Sequence, residues 1–425
     1  MRTNRRTGGG ANRRTGDGAC RRTGERTRGK KRERDGKRAI KLIDVVKYFK
    51  YSQMSKETIT VIYTVKNEDR DIKKLAQSIA IGQTIGTWNE LPGNVRLQIS
   101  KHLAEVVSVE ESTYTSTIKI AFPIDNFGSD LGALLTAVYG KISLAPKIKL
   151  EDIEFNSAYL QLFKGPRYGI KGIRDILGKK DKPLLMSIFK PCLGLTSGEL
   201  ATMFSMQAEA GIDMVKDDEI LYDADFNNTL KRLEACLKAK ERTNSKTLYA
   251  INLTGEADEI LDRAIQLEKN GANCILFNYV SYGLPLLSAL RRKVTIPIMA
   301  HPAFSGAICL SSNSGLTEQL LLGKLPRIAG ADFVLFPSPY GSLAWDKSVT
   351  KDIQASLTKH MGDMKSIWPV PSAGVTVKMV KEITLDFGED IVINAGTAVW
   401  EHKDGGLAGA KEFVNEVQNL SVAIG

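Results

Sequence analysis

The sequence predicts an α/β protein: a closed, parallel (β/α)8 TIM barrel behind a small α+β, ferredoxin-like amino-terminal domain. Three observations lead there. From about residue 173 onward, short apolar runs alternate with segments of helical period, and eight such units in about 240 residues are the count and length of a closed parallel barrel. Between 54 and 172, strands and helices mix without regular alternation, the pattern of an antiparallel sheet with helices to one side. No G-x-G-x-x-G follows the first barrel strand, which argues against an open, doubly wound dinucleotide fold.

Taken in order, the first segment stands apart. Residues 1–53 carry 18 Lys and Arg against 5 Asp and Glu, whereas the other 372 carry 41 against 43, so the formal charge of +11 belongs to the tail. A weakly acidic body offers no field for a polyanion, which confines any nucleic-acid contact to those 53 residues and makes it an unlikely partner overall. Arg5-Arg6-Thr7-Gly8, Arg13-Arg14-Thr15-Gly16 and Arg21-Arg22-Thr23-Gly24 recur with almost nothing apolar between them. Burial cannot offset the entropy of ordering such a segment, so it reads as a disordered low-complexity tail. Because a strand begins directly after Met54, that methionine reads as the natural start.

In the small domain, period-two apolar patterns predict strands over Ile59–Val65, Ala104–Glu110, Ser116–Phe122 and Ile148–Phe155, and longer-period patterns predict helices over Ile72–Ile81 and Leu131–Tyr139. The turn-rich Gly165-Pro166-Arg167-Tyr168-Gly169 closes it. The barrel strands are expected at Leu184–Lys190, Met214–Glu219, Leu248–Thr254, Ile275–Val280, Ile296–His301, Phe333–Phe336, Ile367–Pro371 and Ile391–Ala395. Helical stretches such as Glu199–Ala210, Asn228–Arg242 and Glu256–Asn270 follow them.

Five scattered cysteines, with no Cys-x-x-Cys pair, fit a reducing cytoplasm and argue against a disulfide framework or thiol-redox work. No uncharged apolar run reaches the length of a membrane span.

In such barrels the chemistry sits at the carboxyl ends of the strands. Here those ends are Lys190-Pro191, Lys216-Asp217-Asp218-Glu219, Asn252, His301-Pro302, Ser372-Ala373-Gly374 and Gly396-Thr397. Side chains alternate along a strand, so Lys216 and Asp218 face one way and Asp217 the other, while Glu219 is free to turn inward where the strand ends. Two carboxylates beside a lysine suit either a hard dication held through oxygen or a plain salt bridge, and an ammonium itself cannot ligate.

Gly211-Ile212-Asp213-Met214-Val215-Lys216-Asp217-Asp218-Glu219 resembles the metal motif of the ribulose bisphosphate carboxylase superfamily. In that family the lysine takes up CO2 as a carbamate, which binds magnesium with the aspartate and glutamate. The resemblance therefore implies one Mg2+ per subunit on carbamylated Lys216, Asp218 and Glu219. It runs from Met54 onward and is closer to the RuBisCO-like enolase branch of methionine salvage, through Gly165–Ile170, Pro183–Lys190, Lys246–Gly255, Pro297–Gly306 and Gly330–Gly341.

That branch implies a keto–enol isomerase acting on 2,3-diketo-5-methylthiopentyl-1-phosphate. Carbon dioxide fixation lacks its equipment: the carboxylase's second first-strand lysine is Cys192 here, its mobile-loop lysine is Ser342, and its small-domain asparagine is Ala137. Lys141, in Tyr139-Gly140-Lys141, matches the enolase general base and needs to be neutral to act. Lys190 is expected to steady developing charge or move a proton, with an ion pair to Asp217 or Glu219 as its alternative, and His301 to meet substrate oxygen or phosphate. His102, His360 and His402 read as structural or exposed.

The resemblance further implies a homodimer whose sites are shared between subunits, with Lys141, Thr87 and Trp88 of one subunit completing the other's barrel mouth. Phosphate is expected on backbone N–H groups around Ser372, Gly374, Gly396 and Thr397. Gly396-Thr397-Ala398 stands where three glycines are usual and Glu401 where a glycine is usual, so two Cβ atoms are expected to crowd this loop. That departure favours, as an alternative, a RuBisCO-like isomerase or decarboxylase for another sugar phosphate. A non-catalytic protein with a nucleic-acid-binding tail is the third reading.

Overall fold

The computed structural model describes residues 57–68, 70–88, 91–223 and 228–420. The predicted tail, 1–53, lies outside the described residues, as does the expected start at Met54.

The small domain is built on β1 (Thr58–Lys66), β2 (Glu105–Glu111), β3 (Thr115–Pro123) and β4 (Ile148–Glu154). β1 shows why it forms: Ile59, Val61, Tyr63 and Val65 are buried while the residues between them are not, the alternation of a strand with one face on a core. β1 pairs antiparallel with both β3 and β4, and β2 pairs with β3 at the edge. The helix Ile72–Gly82 starts where the Asp71 side chain accepts the Lys74 N–H, and it buries Ile72, Ala76, Ile79 and Ala80. The second predicted helix is α-helical only over Leu131–Leu135; Thr136–Gly140 widens into a π-helical turn, with Lys141 directly after it.

The barrel strands are β5 (Leu184–Ile188), β6 (Met214–Lys216), β7 (Leu248–Asn252), β8 (Cys274–Phe277) and β9 (Ile298–Ala300), then, after the two-residue β10 (Gly315–Leu316), β11 (Phe333–Pro337), β12 (Trp368–Ser372) and β13 (Val392–Ala395). The eight strands lie in the order β12-β11-β9-β8-β7-β6-β5-β13, every adjacent pair parallel. Each predicted strand exists; most are shortened, while β11 runs one residue further, to Pro337, and β12 is shifted by one residue, to Trp368–Ser372. The fourth shows the largest change: it stops at Phe277, and Tyr279–Tyr282 is a helical turn.

Inward-facing residues fill the barrel in layers, including Met186, Met214, Leu276, Met299, Leu335 and Val370. Each such side chain contributes about 1.5–3 kcal/mol by its burial. At the base, Asp332 accepts N–H groups of Tyr168 (2.7 Å), Gly169 (3.0 Å) and Ile298 (3.2 Å) and pairs with Arg291, tying the interdomain segment to the strands.

β10 was not foreseen. It leaves the barrel after β9 and adds a fifth strand, parallel to β4, to the small domain's sheet. The Tyr139 hydroxyl donates to Ile148 O (2.6 Å) and accepts the Gly315 N–H (2.9 Å), locking the junction. Gly315 is required there, since φ is +82° and a Cβ would stand 1.9 Å from Ile308 O. Among the described residues no helix is long and apolar enough to cross a membrane.

Candidate active site

The strand ends converge as the alternation requires. β6 ends at Lys216, which points into the barrel mouth and is fully buried. Its Nζ donates to Asp217 O (2.8 Å) and to Glu219 Oε2 (3.1 Å). Asp217 faces the helical layer instead: its carboxylate takes the Arg232 guanidinium (2.9 Å), the Tyr249 hydroxyl (2.6 Å) and the Asn252 N–H (2.8 Å). Lys190 therefore pairs with neither Asp217 nor Glu219, as one expectation had it, but with Asp218. Asp217 is on the wrong face, and Glu219 is taken by Lys216.

The electrostatics follow from this pairing. Burial lowers the Lys190 pKa, but Asp218 outweighs it and the net shift is upward, keeping Lys190 charged. Burial raises Glu219, but Lys216, His301 and hydrogen bonds together more than offset it, holding the carboxyl down at about 2. His301 is pushed down to about 3 by burial and then by Lys216, against the pull of Glu219. Its ring is thus neutral. Nδ1 accepts the Ala303 N–H (3.2 Å), so the proton sits on Nε2 and faces Glu219 Oε2 at 3.3 Å.

These groups line a cavity of about 470 Å3 with Ser372, Gly374, Gly396 and Thr397 on its other wall. The wall after β12 has unusual backbone: Ala373 (φ +73°) and Gly374 (φ +78°) are both left-handed. It is held by Ser338 N–H to Ser372 O (2.8 Å) and Ser342 N–H to Ala373 O (3.0 Å). Gly341 makes that approach possible, because a Cβ there would lie 1.5 Å from Ala373 O. The Ser372 hydroxyl donates to Val370 O (2.9 Å) and accepts from Asn394 Nδ2 (3.0 Å), so it is engaged within the barrel. That Asn394 bond also bridges β12 and β13, the one neighbouring pair in the barrel without a strand ladder.

The expected crowding after β13 is absent. Gly396 has φ −103°, and Thr397 and Ala398 enter a helical turn, Thr397–Trp400, in which a Cβ is ordinary. Trp400 Nε1 anchors the turn on Ile188 O (2.6 Å). Left-handed backbone is needed only on the opposite loop.

A single chain brings together Lys190, Lys216, Asp218, Glu219, His301, Ser372, Gly374, Gly396 and Thr397. It does not bring Thr87, Trp88 or Lys141 to the cavity. Thr87 and Lys141 are exposed, and Trp88 lies half-buried under the Arg96 guanidinium, 5.8 Å from the ring centroid. Of the other histidines, His102 bonds Asn126 (2.7 Å), His402 lies 3.7 Å from Glu412, and His360 is exposed.

Among the described residues no three His, Cys, Asp or Glu side chains stand together as a metal site. Asp218 and Glu219 supply two oxygen anions at the mouth, and the third group between them is Lys216. As an ammonium it repels a cation; converted to a carbamate it becomes a third oxygen anion, and the set then suits a hard dication.

Of three buried asparagines, the sequence places Asn252 at a strand end without a role, and Asn278 and Asn394 went unassigned. Each lies two residues beyond an inward apolar residue, Ala250, Leu276 and Val392 respectively, so a polar residue at an inward register position was the available signal.

Two family models match the chain: the ribulose bisphosphate carboxylase large chain catalytic domain over residues 169–419 and the large-chain N-terminal domain over 47–159. The chain is similar to a 2,3-diketo-5-methylthiopentyl-1-phosphate enolase of Geobacillus kaustophilus, 43% identical over 366 residues, which is 82% of this chain and 89% of the relative. It superposes on a rubisco-like protein from Alicyclobacillus acidocaldarius with a TM-score of 0.80 at 36% identity, covering 85% of this chain and 94% of that one. An octameric ribulose-1,5-bisphosphate carboxylase/oxygenase from Pyrococcus horikoshii gives the same TM-score at 28% identity, covering 85% and 87%.

Proposed function

Because this chain belongs to the ribulose bisphosphate carboxylase large-chain family, we propose that its barrel mouth is the site of an enolase that converts 2,3-diketo-5-methylthiopentyl-1-phosphate to 2-hydroxy-3-keto-5-methylthiopentenyl-1-phosphate in methionine salvage. The observation that carries this reading is the meeting of Lys190, Lys216, Asp218, Glu219 and His301 in one cavity, in a chain 43% identical to an enolase of that name.

Lys216 as a carbamate, with Asp218 and Glu219, would hold one Mg2+ per subunit. Bound magnesium supplies positive charge where the substrate's oxygens become electron-rich. Lys141 of the partner subunit, in its neutral form, takes a hydrogen from C1 as a proton. The C1–H electron pair becomes the C1=C2 bond, the C2=O pair moves onto oxygen, and that oxygen is then protonated to the enol. Lys190, kept cationic by Asp218, stands at the mouth to steady that oxygen and to return a proton. Neutral His301 holds its Nε2–H beside Glu219 Oε2 at the cavity wall, where it offers a donor to substrate oxygen once the Glu219 carboxylate is turned to the metal. The left-handed loop around Ser372 and Gly374 and the turn at Gly396 and Thr397 take the phosphate, with Thr87 and Trp88 of the partner subunit closing the site.

The alternative of a different sugar phosphate rested on crowding after β13 and on Glu401; the helical turn at Thr397 removes the first motive, while Glu401 does line the cavity. The test is direct. Full-length protein given Mg2+, bicarbonate and the diketo phosphate is expected to convert diketone to enol, followed by 31P and 1H NMR. No conversion above the uncatalysed rate would overturn the reading.

A further inference from the structure

The chain leaves β6 at Lys216, and residues 217–221 run on without a strand ladder, so their buried carbonyl groups need other donors. Two asparagines on adjacent strand ends supply them. Asn252 Nδ2, at the end of β7, donates to Glu219 O (3.0 Å) and Leu221 O (2.8 Å). Asn278 Nδ2, just beyond β8, donates to the same Glu219 O at 3.1 Å. Asn252 grips the segment a second time, through its own N–H on the Asp217 carboxylate.

We propose that Asn252 and Asn278 are positioning residues that clamp the Glu219 carbonyl and thereby set the affinity of the site for its divalent cation. The inference rests on the metal-dependent reading above and adds to it two residues that touch neither metal nor substrate.

The asparagine orientation is fixed by chemistry, since a carbonyl accepts only and the NH2 end must face it. Each Oδ1 is then buried without a partner. An orphaned buried acceptor of this kind is destabilising, so packing alone favours leucine at both positions. What the asparagines provide in return is a fixed Glu219. Its carboxylate lies at the mouth, 3.1 Å from Lys216 Nζ and 3.3 Å from His301 Nε2, and a shift of its backbone would carry Oε2 away from the position in which it faces Lys216. Groups that orient a metal ligand in this way typically change metal affinity 10–100-fold when lost.

The test uses the full chain with bicarbonate and Mn(II) as the probe, with free and bound ion separated by EPR. Asn278→Leu and Asn252→Leu keep side-chain volume but remove the donors. Each is expected to raise the Mn(II) Kd about tenfold, and to raise the KM for Mg2+ while kcat at saturating Mg2+ is largely recovered. Should a leucine variant fail to fold, Asn278→Ala, which leaves Asn252 in place, gives the same comparison. Asp332→Asn, at the far end of the barrel, is the control: it lowers the melting temperature without moving the Mn(II) Kd. Folded variants that bind Mn(II) like wild type would overturn the clamp alone. A wild-type protein that binds no Mn(II) would overturn the metal reading itself, and the clamp with it.

Discussion

Arg232 reaches from the second barrel helix to Asp217, Nη2 to Oδ2 at 2.9 Å, and both side chains are fully buried. This pair anchors the back of the segment whose front carries Lys216, Asp218 and Glu219. Asp217 holds Arg232 well above its ordinary pKa despite the opposing effect of burial, so the guanidinium is always charged.

Removing Arg232 leaves the Asp217 carboxylate buried without that counter-charge. Arg232→Met is expected to cost about 3–5 kcal/mol of unfolding free energy, read from urea melts. A loss under 1 kcal/mol would mean that Asp217 finds compensation elsewhere.

A site shared between subunits, as proposed, predicts complementation between two inactive proteins. Lys141→Ala and Lys216→Ala should each lose at least about 100-fold in kcat, while the exposed Lys141 leaves the melting temperature unchanged. Mixed and allowed to exchange subunits, the two should recover about a quarter of wild-type activity, because half the dimers are hybrids with one complete site each. No recovery after demonstrated exchange would place both residues in one chain's site.

Gly341→Ala puts a methyl group against the Ala373 carbonyl and forces the two loops apart. The expected result is a KM about tenfold higher, a loss of about 1.4 kcal/mol in binding, with kcat little changed. An unchanged KM would remove this loop from the phosphate cradle.

Asp332 gives the pH prediction. Burial raises its pKa above the ordinary 3.8, against the N–H groups and Arg291 that favour the anion. A carboxyl with a raised folded pKa binds its proton more tightly when folded. Its contribution to stability is therefore present below 3.8 and lost as pH rises through the raised value. The stability of wild type relative to Asp332→Asn should fall across that window and then level off. A difference that grows with pH would contradict the assignment.

Much of this was legible because barrel strands announce themselves as short apolar runs, and because period two alone separates Lys216 and Asp218 from Asp217. The metal role and the base came from resemblance, since a lysine beside carboxylates reads equally well as an ion pair. Contacts between residues distant in the chain were not legible. Nothing local in Gly315-Leu316 says that it will join another domain's sheet, and nothing in Asn278 says that its amide will meet Glu219. The turn at Thr397 was misread for a related reason: two extra Cβ atoms suggested crowding, but their effect depends on backbone angles that the residue types do not fix.

For the mouth to hold magnesium as proposed, Lys216 must become an oxygen ligand. Protein incubated with 13C-bicarbonate and Mg2+ should show by 13C NMR one lysine carbamate carbon per chain, absent from Lys216→Met, whose enolase activity is lost with it. An enzyme that is fully active under these conditions with no carbamate signal, or one whose signal survives in Lys216→Met, would contradict the account.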